Sequence, residues 1–205
     1  MSDATVPRKV EDCQSRMEAL GLEAIVQLAC LGDLEAFSEI YRRSVRRVFG
    51  LCRHMLHSPV QAEDATSEVF LRLRKGITTY DGSAPFIHWL LSITSHHCVD
   101  ILRKRRLEAT LFIEEETGLP ELPASAASPL TLAMAEERGE ELRQAIARLP
   151  DHYRVPLVLR YYSDLSYDEI AQQLNLTRNH VAILIFRAKR ELRQALTTEK
   201  KERKK

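Results

Sequence analysis

The sequence predicts an all-α fold: two small helical domains joined by a flexible acidic and Pro/Ala/Ser-rich linker, the second ending in a helix-turn-helix. Three observations carry this. Apolar residues recur at the 3.6-residue period of amphipathic helices along most of the chain. Glycine and proline are few, 7 and 8 among 205 residues, and β-branched residues are scattered, so helix is the default. Near the middle the periodicity gives way to EEETGLPELPASAASPL, whose composition cannot bury enough apolar surface to fold alone.

The elements follow in order. Residues 1–24 read as an N-terminal extension, polar at first, with a short helix from Val10 to Leu20. The first domain spans 25–106. Ala24 to Cys30 extends the opening helix, and Asp33 caps a long one. Leu34, Phe37, Ile40, Tyr41, Val45, Val48 and Phe49 make its inner stripe, with Arg42, Arg43, Arg46 and Arg47 opposite. Ser58-Pro59 stops it. The next helix runs from Val60 to Lys75 and ends near Gly76; Ala62, Ala65, Val69 and Leu73 face inward with Phe70 beside them, leaving Glu63, Asp64, Glu68, Arg72 and Arg74 as surface. Thr78 to Ser83 is a loop, with Asp81-Gly82 as a turn signal. Pro85 suits the first turn of a third helix. Its inner face is Phe86, Trp89, Leu90, Ile93, His97 and Ile101, which makes Trp89 a packing residue and His97 a partly buried, hydrogen-bonded one. It ends in the basic run Arg103-Lys104-Arg105-Arg106, which suits the helix dipole.

Residues 107–130 are the linker, about 25 residues long and reaching roughly 25–30 Å as a coil. The second domain, 131–197, opens with a helix from Pro129 to Arg148 that turns Leu142, Ala145, Ile146 and Leu149 inward. A helix from Asp151 to Tyr162 carries Tyr153, Val155, Leu157, Val158 and Tyr161. The helix-turn-helix follows. Ser166 and Glu169 have capping-box spacing, Asn175 tolerates the left-handed conformation at the helix end, and Thr177 can cap the second helix. Val181, Ile185, Ala188 and Leu192 form that helix's buried stripe, leaving a largely basic face. Such a face can enter a major groove. Residues 198–205 are a basic tail, expected to be unstructured.

Composition narrows the function. With 44% apolar residues the chain can build cores, and no apolar run approaches the ~20 residues that span a bilayer, so no membrane insertion is expected. The N-terminus lacks the apolar core of a signal peptide, and a cytoplasmic protein follows. The 4 cysteines form no CxxC pair and read as free buried thiols. Cys52, His54 and His57 do not converge on one helix face, so no metal site is assigned. His96, His97, Cys98 and Asp100 splay over a wide arc with no phosphate loop or nucleophile setting, so the chain reads as no enzyme and without a cofactor. Net charge is only +1, but the bases are clustered, and local patches set contact with phosphates.

AEDATSEVFLRL at 62–73, PFIHWLLSI at 85–93, VDILRKRR at 99–106 and AIARLPDHYRVPLVLRYYSDLSYDEIAQQLNL at 145–176 resemble bacterial RNA polymerase sigma factors. The two-domain layout is similar to the extracytoplasmic-function (ECF) group. The resemblance implies a factor that binds core RNA polymerase, directs it to promoter DNA and assists strand opening. It implies polymerase contacts from Asp64, Glu68 and Arg72, and contacts to the promoter's −10 element from Arg103, Lys104, Arg105 and Arg106. Contacts to the −35 element would come from Arg178, Asn179, His180, Ala182, Ile183, Phe186, Arg187, Lys189 and Arg190. An anti-sigma factor is the implied inhibitor. The alternative is a helix-turn-helix regulator acting without polymerase, for which the 62–73 and 85–106 patterns have no use. Two departures from the family stand out: Ala182 and Leu184 replace a usual Lys and Arg, and Ser95-His96 replaces a frequent Arg-Asn. Ile183 and Phe186 also project from the expected DNA face.

Overall fold

The computed structural model describes residues 19–56, 58–106 and 136–202. The extension before residue 19, Cys13 and His57, the 107–130 linker, the start of the helix expected from Pro129 and the last three residues lie outside them. The described residues form α1 (Leu22–Cys30), α2 (Leu34–Leu56), α3 (Pro59–Gly76), a 3-10 turn (Ile77–Thr79), α4 (Phe86–Arg106), α5 (Glu136–Arg148), α6 (Asp151–Tyr161), α7 (Tyr167–Leu174) and α8 (Arg178–Glu202), with no strand among them. The all-α expectation holds.

Helix α2 is the axle of the first group: α1, α3 and α4 all pack on it. Asp33 starts it as the sequence predicts, its Oδ1 accepting from the amides of Glu35 (2.9 Å) and Ala36 (3.0 Å). The inner stripe is rotated from the predicted one. Ile40 and Val48 are buried, but Leu34 is 64% and Tyr41 47% exposed, while Ala36, Ser44, Leu51, Cys52 and Met55 take the interior. Leu34 lies in the first turn of α2, and Tyr41 sits at the rim, edge-on to Phe70 at 4.6 Å between ring centroids. Glu39 is buried and held by Arg42 and Arg43; the Arg42 hydrogen bond, first of the causes, keeps its carboxyl below the usual range.

Helix α3 buries the predicted Ala62, Ala65, Val69, Phe70 and Leu73. Helix α1 is tied in by Glu23, whose carboxylate accepts from the Tyr80 hydroxyl and the Phe86 amide, both at 3.3 Å. Residues 22–24, read as extension, are therefore part of the packed fold. In α4, Phe86, Leu90 and His97 are buried as expected, yet so are Leu91, Thr94, Ser95, Cys98, Val99 and Leu102. The buried face is wide because α4 touches both α2 and α7. Trp89 packs on Tyr80 (5.2 Å) and Phe86 (5.9 Å), as core packing predicts. His97 corrects an expectation: its Nδ1 has no hydrogen-bond partner among the described residues, and burial holds its imidazole below the ordinary range. Cys52 and Cys98 are free buried thiols with sulfurs 3.7 Å apart.

In the second group α8 is the spine, packed on α5, α6 and α7. It continues as helix to Glu202, into the stretch read as an unstructured tail, because Lys, Glu and Arg are good helix formers and neither Gly nor Pro interrupts them.

Candidate nucleic-acid interface

The helix-turn-helix is built by local chemistry. Ser166 Oγ accepts from the Glu169 amide at 3.2 Å and the Glu169 carboxylate accepts from the Ser166 amide at 2.7 Å, a complete capping box. The Ser166 hydroxyl also donates to the Glu169 carboxylate at 2.6 Å, and this bond first, then the one from the Ser166 amide, holds the carboxyl below its usual range. Asn175 is left-handed at φ 58°. The amide of Leu176 then reaches back to the Ala171 carbonyl at 2.9 Å and that of Asn175 to Gln172 at 3.3 Å. Thr177 Oγ1 accepts from the His180 amide at 3.2 Å and starts α8. Val181, Ile185, Ala188 and Leu192 are buried as predicted, and so is Leu184. Leu184, one of the two positions where a family base is absent, packs inward.

The residues named as −35 contacts lie opposite and beside that buried stripe on α8. Arg178, Asn179, Phe186 and Arg190 are exposed; His180, Ala182, Ile183, Arg187 and Lys189 are half-buried. Arg178 lies 3.5 Å from Asp168, and Arg190 3.6 Å from Glu191, in exposed pairs of small worth. Lys189 Nζ sits 4.9 Å over the Tyr161 ring, an engagement that sequence periodicity does not show.

A second surface lies on α3. Asp64 is exposed, and one turn on Glu68 pairs with Arg72 at 2.8 Å. The Arg72 hydrogen bond holds the Glu68 carboxyl below the usual range. Leu71, 56% exposed and seven residues after Asp64, shares this face; the sequence reading missed it. An apolar side chain among exposed charges is the composition of an interface anchor.

The third surface is the end of α4. Arg103 and Lys104 are exposed, and the Arg105 and Arg106 side chains lie outside the described residues. Arg103 is not simply offered to solvent: its Nη2 donates to the Gln173 carbonyl of α7 at 2.8 Å. That carbonyl is in the last turn of α7, and the amides of Leu176 and Asn175 go to other carbonyls, so Arg103 caps the helix end. Beside it, Gln173 Nε2 donates to Ser95 Oγ at 3.0 Å, both residues buried. Ser95 is one of the two departures; there the small hydroxyl receives the helix-turn-helix.

Two more residues that sequence reasoning missed close the same junction. Arg154 of α6 is fully buried; its Nη2 donates to the Met55 carbonyl in the last turn of α2 at 2.9 Å and to Asp151 Oδ1 at 2.7 Å. The Tyr162 hydroxyl donates to the Arg47 carbonyl at 3.1 Å. This approach needs Gly50, where a Cβ would collide with that hydroxyl. His54 lies 5.5 Å from the Tyr162 ring; burial first, then Arg143, Arg53 and Arg154, hold its pKa below the ordinary range. A charged residue amid the apolar positions of α6 was the one signal in the sequence for Arg154.

The sequence and the fold match known proteins. Residues 40–108 match the Sigma-70 region 2 family and residues 139–192 the Sigma-70, region 4 family. The ECF RNA polymerase sigma factor SigW of Bacillus subtilis is 31% identical over 170 residues, covering 80% of this chain and 91% of that one. The chain belongs to the ECF RNA polymerase sigma factors. The RNA polymerase sigma-H factor of Pseudomonas aeruginosa is 26% identical over 183 residues, 85% of this sigma factor and 93% of that one. Two solved structures share the fold: CnrH in complex with the cytosolic domain of CnrY (TM-score 0.53, 20% identity, 85% of this chain and 96% of that one), and the sigma factor RpoE in complex with the anti-sigma factor NepR from Bartonella quintana (0.53, 15%, 80% and 98%). Among the described residues of the sigma factor, no group of three or more His, Cys, Asp or Glu could hold a metal, and no helix is long and apolar enough to cross a membrane.

Proposed function

We propose that this sigma factor divides its work between two units. Residues 25–106 dock on core RNA polymerase through the exposed face of α3 and open the −10 region with the basic end of α4. Residues 131–197 set α8 into the duplex of the −35 element. The chain supplies no catalytic group; it acts in the cytoplasm by positioning polymerase and DNA, and an anti-sigma factor is its natural inhibitor, as in the RpoE complex named above. The observation that carries this reading is an acidic and apolar docking face on α3 in the same chain as a complete helix-turn-helix. A regulator acting without polymerase has no use for that face. Complementary charge would steer the encounter with a basic partner helix and fix its register.

Reversing both carboxylates, Asp64→Lys with Glu68→Lys, is expected to weaken co-purification with core polymerase at least ten-fold while the melting curve stays near wild type, because both residues are on the surface. Undiminished polymerase binding by this variant would remove α3 from the docking role.

A further inference from the structure

The junction between the two units seats a histidine among arginines. His54 lies in the last turn of α2, half-buried where α5 and α6 pack on that helix. Its ring meets the Tyr162 ring at 5.5 Å between centroids, tilted by 58°. Alone at a helix C-terminus, a histidine gains from a positive charge, because the helix dipole is negative there. The closed junction works against that charge. Burial does so first, then Arg143 of α5, Arg53 of its own helix and the fully buried Arg154 of α6. Asp151 of α6 pairs with Arg154 at 2.7 Å. Tyr162 faces the imidazole as a neutral phenol, since burial raises its pKa, and its hydroxyl donates to the Arg47 carbonyl. The Tyr162 ring, tilted rather than face-on, gives an imidazolium little in return.

Opening the junction reverses these effects. It exposes His54 and takes Arg143 and Arg154 away, leaving Arg53 and the helix end. The open chain therefore binds the proton more tightly than the closed one, and by the same difference protonation favours opening. The window starts at about 6.5, the ordinary histidine value, and runs down to the depressed value of the closed chain. Above it the closed arrangement keeps its full stability. As pH falls through it, the closed-to-open ratio drops by at most about ten-fold per pH unit, the limit for one linked proton. Two other histidines act differently. His88 of α4 acts on the Glu169 carboxyl of α7, where protonation favours closure. His97 lies within the first unit, acted on by Arg72 and Glu68 of α3 and by Asp100 and Lys104 of its own helix.

We propose that His54 is a proton-operated latch between the two units: neutral, it lets α5 and α6 seat on α2, and protonated, it drives them off. Acidification then releases the contacts made across the junction, Arg103 to the Gln173 carbonyl among them. The latch belongs to the junction and does not depend on the roles proposed for α3, α4 and α8, so its test needs neither DNA nor polymerase. Small-angle X-ray scattering of the full chain reads the closure. Between about pH 7.5 and about pH 5.5 the wild-type radius of gyration is expected to rise by about 5 Å, since the linker lets the released units drift roughly 25–30 Å apart. His54→Phe, uncharged at every pH and able to fill much of the same space, should stay compact throughout. His54→Lys should be expanded at both ends of the range. His97→Gln should respond as wild type does. Far-UV circular dichroism checks that each variant keeps its helices. In NMR titrations of the wild-type chain the His54 imidazole should change charge below the ordinary histidine range. A wild-type radius that stays constant over the range would overturn the proposal, as would a His54 resonance that titrates in the ordinary range. A His54→Phe chain that expands like wild type, or a compact His54→Lys chain, would also overturn it. Loss of the response in His97→Gln alone would move the proton to the first unit and remove the latch from His54.

Discussion

Arg154→Ala is expected to lower the free energy of unfolding by about 2–4 kcal/mol, the usual result of truncating a fully buried side chain and stranding the carbonyl it bonds. The side chain is fully buried, and its Nη2 bonds both the Met55 carbonyl and Asp151. Alanine would leave the Met55 carbonyl without this donor at a helix end, strip the charge partner from Asp151 and open a cavity. Arg154→Met refills most of the volume without restoring the donors, so its loss should be smaller but still above about 1 kcal/mol, the lower cost of one unsatisfied buried polar group. Chemical denaturation at neutral pH measures both. An alanine variant as stable as wild type would show that the guanidinium is not holding α6 against α2.

The second large effect concerns the junction as a whole. As names, −10 and −35 place the two promoter elements about 25 base pairs apart, roughly 85 Å along B-DNA at 3.4 Å per pair. In the free chain Arg103 touches Gln173, Ser95 touches Gln173, and Tyr162 touches Arg47. Those contacts cannot coexist with the two proposed grips occupied together, so the junction is expected to open on the promoter. Residues 107–135 number 29 and span at most about 100 Å when stretched, enough for that separation. Dyes placed through non-native azide side chains at Arg46 and Asp164, both exposed and close to the Arg47–Tyr162 bond, should show near-complete energy transfer in the free chain. Transfer should fall several-fold in holoenzyme on promoter DNA. Opening also frees Arg103 from the Gln173 carbonyl, so under the proposed −10 role closure and DNA binding compete for one guanidinium. Transfer that stays high on the promoter would mean that only one of the two surfaces grips DNA at a time.

What could be read from the sequence was the chemistry that is local along the chain. The capping box of Ser166 and Glu169, the left-handed Asn175, the Thr177 cap and the buried stripe of α8 all depend on residues within a turn or two of each other, and each forms as the spacing predicts. The inner stripes of α3 and α8 were legible for the same reason, since one helix face determines them. Long-range pairing was not. Nothing near Arg154 in the chain announces the Met55 carbonyl 99 residues away, nor does anything near Ser95 announce Gln173 at 78 residues. Leu34 and Tyr41 fit the period of α2 but lie where no neighbouring helix covers them fully. The site showed the same division. The outward position of Ile183 and Phe186 follows from 100° steps along α8, whereas the engagement of Lys189 with Tyr161 and of Arg103 with α7 required the fold.

The central claim is that this chain makes core polymerase initiate at chosen promoters. Run-off transcription with core polymerase, the purified full chain and a library of promoter fragments tests it most directly. Discrete transcripts are expected only when the chain is present, from fragments sharing spaced −35 and −10 elements, and the Asp64→Lys, Glu68→Lys chain should lose them. A chain that binds the library by itself yet yields no chain-dependent transcript would contradict the account and leave a DNA-binding regulator in its place.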